Sequence, residues 1–156
     1  MPLKRGFTLL ELMIVIAIAG MSIILTPPIL RWLDQKGVRQ AAEQLYAELQ
    51  LARLTAIRNK KPCGLYFNSP GINQYINTQN NQQINLDQYR GGVHFMQTSP
   101  DGKTMSETIR FNRQGMSMSI APANVYLSDQ SGISIYRLRV MLPGGISLDR
   151  WKGMGW

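Results

Sequence analysis

The stretch MPLKRGFTLLELMIVIAIAG, residues 1–20, decides how the rest of the chain is read. It opens an apolar run, residues 12–30, in which no charge occurs. At about 1.5 Å per helical residue such a run reaches roughly 28 Å, the thickness of a bilayer's hydrocarbon core. Glu11 stands at its near end, behind Lys4 and Arg5. A carboxylate in that position is costly without a partner, which makes Glu11 a candidate functional residue on physical grounds alone. The run is too long for a removable secretory signal, and Arg31 and Asp34 follow it with no Ala-x-Ala cleavage pattern. Lys4 and Arg5 place the N-terminus in the cytoplasm by the positive-inside tendency, so the remainder is exported but tethered by a single pass.

Pro27 and Pro28 fall near the exported end of the run. Each lacks an amide hydrogen and crowds the preceding turn, so a helix break or kink is expected there. Beyond them Val38, Ala41, Ala42, Leu45, Leu49, Ala52, Ala56 and Ile57 recur at three- and four-residue steps. That period predicts an amphipathic helix from about Arg31 to Arg58, ending near Asn59-Lys60-Lys61-Pro62. Short β segments are expected at 63–68, 74–77, 93–97, 108–112, 125–128 and 133–142, separated by turn-formers such as Ser69-Pro70-Gly71 and Pro143-Gly144-Gly145. In 133–142 the apolar parity switches after Ile135, which predicts a bulge or an exchange of sheets near Tyr136-Arg137. The Asn- and Gln-rich stretch 77–87 reads as an exposed loop or hairpin tip. The expected fold is α+β: a long N-terminal stem helix, membrane-spanning in its first half, packed on a small, mostly antiparallel sheet domain.

The length of 156 residues allows one anchored domain with a modest core. From Arg31 onward fifteen Lys and Arg face eight Asp and Glu, a net +7 that suits a solvated basic surface or an anionic partner. Cys63 is the single cysteine, so no intramolecular disulfide exists in any compartment. Nor do the residues suggest catalysis. His94, the single histidine, reads as a half-buried strand residue, Cys63 as a packed thiol and Asp101-Gly102 as a turn. No metal site and no cofactor are expected.

The segment Lys4-Arg5-Gly6-Phe7-Thr8-Leu9-Leu10-Glu11-Leu12 resembles the class III signal of type IV pilins and pseudopilins. The resemblance implies cleavage between Gly6 and Phe7 by a prepilin peptidase, methylation of the new amino terminus, and retention of the apolar helix as anchor and assembly stem. Its segments would be a leader (1–6), a transmembrane and assembly helix (7–30), the amphipathic half of the stem (31–61) and a β-rich exported domain (62–156). Pairing of the Phe7 amine with a neighbour's Glu11 in a packed fibre would compensate both charges. Residues 42–59 and Ile109-Arg110-Phe111-Asn112-Arg113-Gln114-Gly115 are similar to GspH/FimT-type minor pseudopilins. This implies a structural subunit that helps initiate or cap a type II secretion pseudopilus or a type IV pilus. Its partners would be other minor and major pilins or pseudopilins and inner-membrane lipid, with the globular part periplasmic. The alternative is a DNA-binding minor pilin for natural transformation. Relatives that bind DNA carry a Gly-Arg-x-Arg turn, where this chain has Gly144-Gly145-Ile146-Ser147. Arg137, Arg139, Arg150 and Lys152, interleaved with Trp151 and Trp156, remain the candidate DNA or anion contacts.

Overall fold

The computed structural model describes residues 8–156, with residues 22–35 described in backbone only. Between Trp32 and Leu33 the chain divides into two compact units. The first long element, α1 (Leu9–Asn59), is 51 residues long. From Val38 to Asn59 it contains neither Gly nor Pro and is dominated by Ala, Leu, Gln, Glu and Arg, all good helix formers. It stops where Lys60 turns left-handed at φ 55° and Pro62 bars continuation. The expected break at Pro27 and Pro28 falls on residues whose side chains lie outside those described; the helical assignment runs through them. Among the described residues no helix is long and apolar enough to cross a membrane. The run read as spanning extends into residues 22–35.

Within the unit Leu33–Trp156, the helix lays its stripe on two four-stranded sheets. One has the order β3-β2-β1-β5, from Gln83–Asn85, Gln74–Asn77, Cys63–Phe67 and Thr108–Phe111. The other has the order β4-β6-β7-β8, from His94–Met96, Ala123–Ser128, Ile135–Val140 and Ile146–Arg150. Every strand pair is antiparallel. Val38, Ala41, Ala42, Leu45, Leu49, Ala52 and Ala56 are all 0–1% exposed. Four of the seven are alanines, so the helix backbone approaches the sheets closely while Leu45 and Leu49 fill the space on either side. Each buried Leu contributes about 1.5–3 kcal/mol of transfer free energy. Ile57, expected on the same stripe, is 38% exposed. Phe67, Tyr75 and Phe95 join the two sheets, with ring centroids 5.6–6.4 Å apart.

Two parts of the sheet reading need correction. Residues 146–150 form the edge strand β8 that apolar patterning did not single out, whereas 77–87 is the hairpin it allowed for, with its return leg β3 paired to β2. No bulge interrupts β7: its register with β6 runs without a break from Ser128↔Ile135 to Ala123↔Val140. Both faces of β7 are covered. Tyr136, Leu138 and Val140 point toward the helix, while Ile135 and Arg137 lie on the outer face beneath residues 151–156. A strand buried on both sides loses the alternation that a one-sided strand shows.

Backbone-level contacts fix the helix in place. A Cβ built at Gly37 would lie 2.0 Å from the Arg90 carbonyl oxygen, so that loop crosses the helix at atomic contact. Near the other end Arg53 donates from Nε to the Gly115 carbonyl at 3.0 Å. Gly144, at φ +85°, packs on the same carbonyl: a Cβ there would lie 1.9 Å from it. Asn77, buried in β2, donates to Glu48 Oε2 at 3.1 Å and ties the helix to sheet β3-β2-β1-β5. Gly144→Ala should therefore destabilise the full chain in detergent by at least about 2 kcal/mol, from the positive φ and the lost contact with Gly115. Gly145→Ala, where a Cβ meets nothing within 4 Å, should stay within about 0.5 kcal/mol of the parent. Urea unfolding followed by tryptophan fluorescence measures the difference; equal stability of the two variants would show that the Gly115–Gly144 contact is not a constraint.

Candidate functional site

The first candidate is the start of α1. Glu11 lies in its first turn, and its backbone N–H donates to Thr8 Oγ1 at 3.2 Å. Thr8-Leu9-Leu10-Glu11 is thus a capping-box sequence, a local signal present in the chain but not used in reading it. The cap explains a Glu at this position in part: its charge also favours the helix N-terminus. Around it Leu9, Leu10, Leu12, Met13, Ile14, Val15, Ile16, Ile18 and Met21 are 51–77% exposed. An all-round apolar helix carrying one carboxylate is a surface that needs covering by lipid or by other helices. Gly6 and Phe7 lie outside the described residues.

The second candidate is the basic set near Trp151 and Trp156, which the fold takes apart. Arg137 is 7% exposed; its Nη2 donates to Asp149 Oδ2 at 2.9 Å and its guanidinium stacks 4.4 Å from the Trp156 ring centroid. Trp156 in turn packs on Tyr126 and Trp151, with centroids at 5.6 and 5.1 Å. Arg137 is thereby spent on closing the outer face of the sheet. Arg139, opposite Ser147, shares that face and is half-buried. Arg150 pairs in register with Tyr136 and so belongs to the opposite face, exposed at the strand end. Lys152 is exposed beyond β8, its backbone N–H bonded to the Gly155 carbonyl at 3.0 Å. These four residues do not form one basic surface. Gly144 is committed to the turn between β7 and β8, where its N–H donates to the Met141 carbonyl at 2.8 Å.

His94 Nδ1 is 3.1 Å from the Gly92 carbonyl, and Cys63 is buried with the Thr78 hydroxyl 3.7 Å from Sγ. Ser99, by hydrogen bonding, and Lys103 hold the Asp101 carboxyl down at about 2, closing a turn. No group of three or more His, Cys, Asp and Glu able to hold a metal occurs among the described residues. A cleft of about 200 Å³ is lined by Thr55, Asn59, Lys61, Cys63 and Thr78. Sequence reading missed a different grouping: the pairing of Cys63 with Phe111 brings Lys60 and Lys61, where α1 ends, near Arg113 in the turn after β5. Its signal was the absence of any Asp or Glu from 49–86 and from 108–128.

Comparison with known proteins agrees with this architecture. The pilin-like protein PilA1 of Thermus thermophilus is 33% identical over 97 residues, an alignment that covers 60% of this chain and 62% of that relative. The type IV minor pilin FimU of Pseudomonas aeruginosa has the same fold, with a TM-score of 0.56 at 14% identity over 78% of this chain and 97% of FimU. The minor pseudopilin EpsH of the Vibrio cholerae type 2 secretion system gives a TM-score of 0.52 at 13% identity over 72% of this chain and 96% of EpsH. Residues 1–26 match the prokaryotic N-terminal methylation motif. Residues 41–144, more than half of the chain, match the family described as type II transport protein GspH, and the chain belongs to that family of pilin-like proteins.

Proposed function

We propose that this chain is a minor pilin or pseudopilin, a non-enzymatic subunit that helps initiate or cap a type II secretion pseudopilus or a type IV pilus. One observation carries the reading: an N-terminal methylation motif runs straight into a helix whose first described turns are apolar on every side. Such a helix is stable in lipid or among like helices, and its later turns bear a sheet domain that remains in water. Prepilin peptidase would cut between Gly6 and Phe7, and the new amine would be methylated. Thr8, the N-cap, stays in the mature chain, so processing leaves the helix start intact. Before assembly the subunit sits as a single-pass inner-membrane protein, N-terminus cytoplasmic and globular unit periplasmic.

Glu11 supplies the assembly chemistry in this scheme. Its carboxylate, exposed on an otherwise apolar surface, gains most by pairing with the Phe7 amine of an adjacent stem. A transformation role through the residues near Trp151 has less support, because Arg137 is buried against Asp149 and Trp156.

Incubation with membranes containing prepilin peptidase should yield a product starting at N-methyl-Phe7, and Gly6→Val should block it. N-terminal mass spectrometry reads the outcome, and a mature product that keeps Met1 or is cut after Leu30 contradicts the scheme. Glu11→Ala should insert into the membrane at least as well as the parent, since a charge is removed from an apolar helix. Its recovery with the other pilin-like subunits should fall by at least about tenfold, or about 1.4 kcal/mol, which is below the roughly 3–5 kcal/mol for removing one partner of a fully buried charge pair. Equal co-purification of Glu11→Ala and parent would show that the carboxylate serves only the helix cap.

A further inference from the structure

A cavity of about 310 Å³ opens where the two sheets meet. Tyr66 in β1 and Thr108 in β5 are register partners on its floor. Leu65 and Phe67 are buried in the core, so Tyr66 between them faces outward. Asn68 and Ser69, which follow β1, and Glu107, which precedes β5, form one side of the cavity, and Gln97, which follows β4 of the other sheet, forms another. Backbone contacts hold these segments together. The Phe67 N–H donates to the Glu107 carbonyl at 2.9 Å, and the Met105 N–H to the Gln97 carbonyl at 2.8 Å. Asn68 Oδ1 accepts from the Asn73 N–H at 3.1 Å, and Asn73 Oδ1 accepts from the Phe95 N–H of β4 at 3.2 Å. The walls are thus fixed to both sheets.

The polar groups that line the cavity are uncommitted. Among the described residues the side chains of Tyr66, Ser69, Gln97, Glu107 and Thr108 make no hydrogen bond or ion pair. Comparable side chains elsewhere in the unit are used on one another, as Gln74 with Gln83, Asn77 with Glu48 and Tyr89 with Gln44. Free polar groups converging on a cavity of this size are what a small-molecule site offers its ligand. The lining also selects the ligand's chemistry. It contains neither Lys nor Arg, so a phosphate or carboxylate would find no counter-charge. Glu107 is a single carboxylate, fewer than the oxygen cage of a calcium ion requires. An amine would pair with Glu107 but leave the amides and hydroxyls unused. A neutral sugar uses them all: each of its hydroxyls donates and accepts, as do the amides of Asn68 and Gln97 and the hydroxyls of Ser69 and Thr108. Tyr66, 39% exposed, offers its ring to the apolar C–H face of a sugar.

We propose that this cavity binds a short neutral saccharide, with Glu107, Gln97 and Asn68 holding its hydroxyls and Tyr66 covering one face of a ring. The site is open and each contact replaces a bond to water, so a dissociation constant on the order of 1 mM is expected for a disaccharide. The ligand carries no charge, and binding is therefore insensitive to salt. Such a site gives the sheet domain a glycan-contacting activity separate from the stem's part in assembly, and either can fail without the other.

The test uses the full chain in a zwitterionic detergent, since glycosidic detergents would compete. N,N′-diacetylchitobiose, cellobiose and maltose are titrated and followed by ligand-observed NMR, with spermidine and inorganic phosphate as charged probes. At least one disaccharide should bind with a dissociation constant on the order of 1 mM, changed by less than about twofold between about 50 mM and about 300 mM salt. Which of the three binds separates an acetamido sugar from a plain glucoside and a β from an α linkage. Tyr66→Ala and Gln97→Ala should each weaken that binding by about fivefold or more, and Glu107→Gln by about threefold or more. Gln114→Ala, in the turn beyond the other end of β5, should alter it by less than about twofold. All four positions are exposed, and circular dichroism verifies that the variants fold. Absence of binding by all three disaccharides up to about 10 mM, binding untouched by Tyr66→Ala and Gln97→Ala, or equal loss from Gln114→Ala overturns the proposal. Spermidine binding that exceeds every disaccharide and is abolished by Glu107→Gln assigns the cavity to amines and overturns it, as does phosphate binding lost in the Tyr66 and Gln97 variants.

Discussion

Everything in the globular unit depends on how closely α1 can lie on two sheets at once. The four alanines at 41, 42, 52 and 56 set that distance, and Val38, Leu45 and Leu49 fill what the alanines leave open. A longer side chain at an alanine position would push the helix off both sheets, since packed interiors have no room to absorb added methylenes. The polar ties follow from this approach. Arg53 meets the Gly115 carbonyl, and Glu48 meets Asn77, because the small side chains bring helix and strand backbones within reach.

Much of this was legible in the chain. The helical stripe could be read because its burial comes from one period over five turns, a signal that survives local noise. Strands β1, β2 and β5 were legible because each lies between clear turn-formers. What failed did so for a common reason: the deciding contact comes from a distant segment. The parity switch in β7 looked like a bulge because nothing local reveals that Trp156 covers the outer face. Arg137 looked like a surface cation until Asp149 and Trp156 were found against it. β8, at the sheet edge with its residues only half-buried, carries too weak an alternation to announce itself. The capping box at Thr8 differs in kind, being a local signal eclipsed by the apolar run beside it.

Charge behaves similarly. Counted along the sequence, the excess of Lys and Arg is diffuse, and the residues near Trp151 drew notice because they stand among tryptophans. Counted in space, the fold neutralises one of those and brings Lys60 and Lys61 near Arg113, from two segments that contain no acid. Net charge is thus a property of the chain, whereas an electrostatic surface is a property of the topology that juxtaposes Cys63 with Phe111.

The two points at which backbone meets helix, Gly37 against Arg90 and Arg53 against Gly115, have a mechanical meaning. They lie about 24 Å apart along the helix axis, near opposite ends of its buried length. A pull along that axis loads both, together with every alanine between them, in parallel as shear. A sideways pull on one end loads them in series and peels them one after the other. The unit is thereby built to carry axial tension far better than bending.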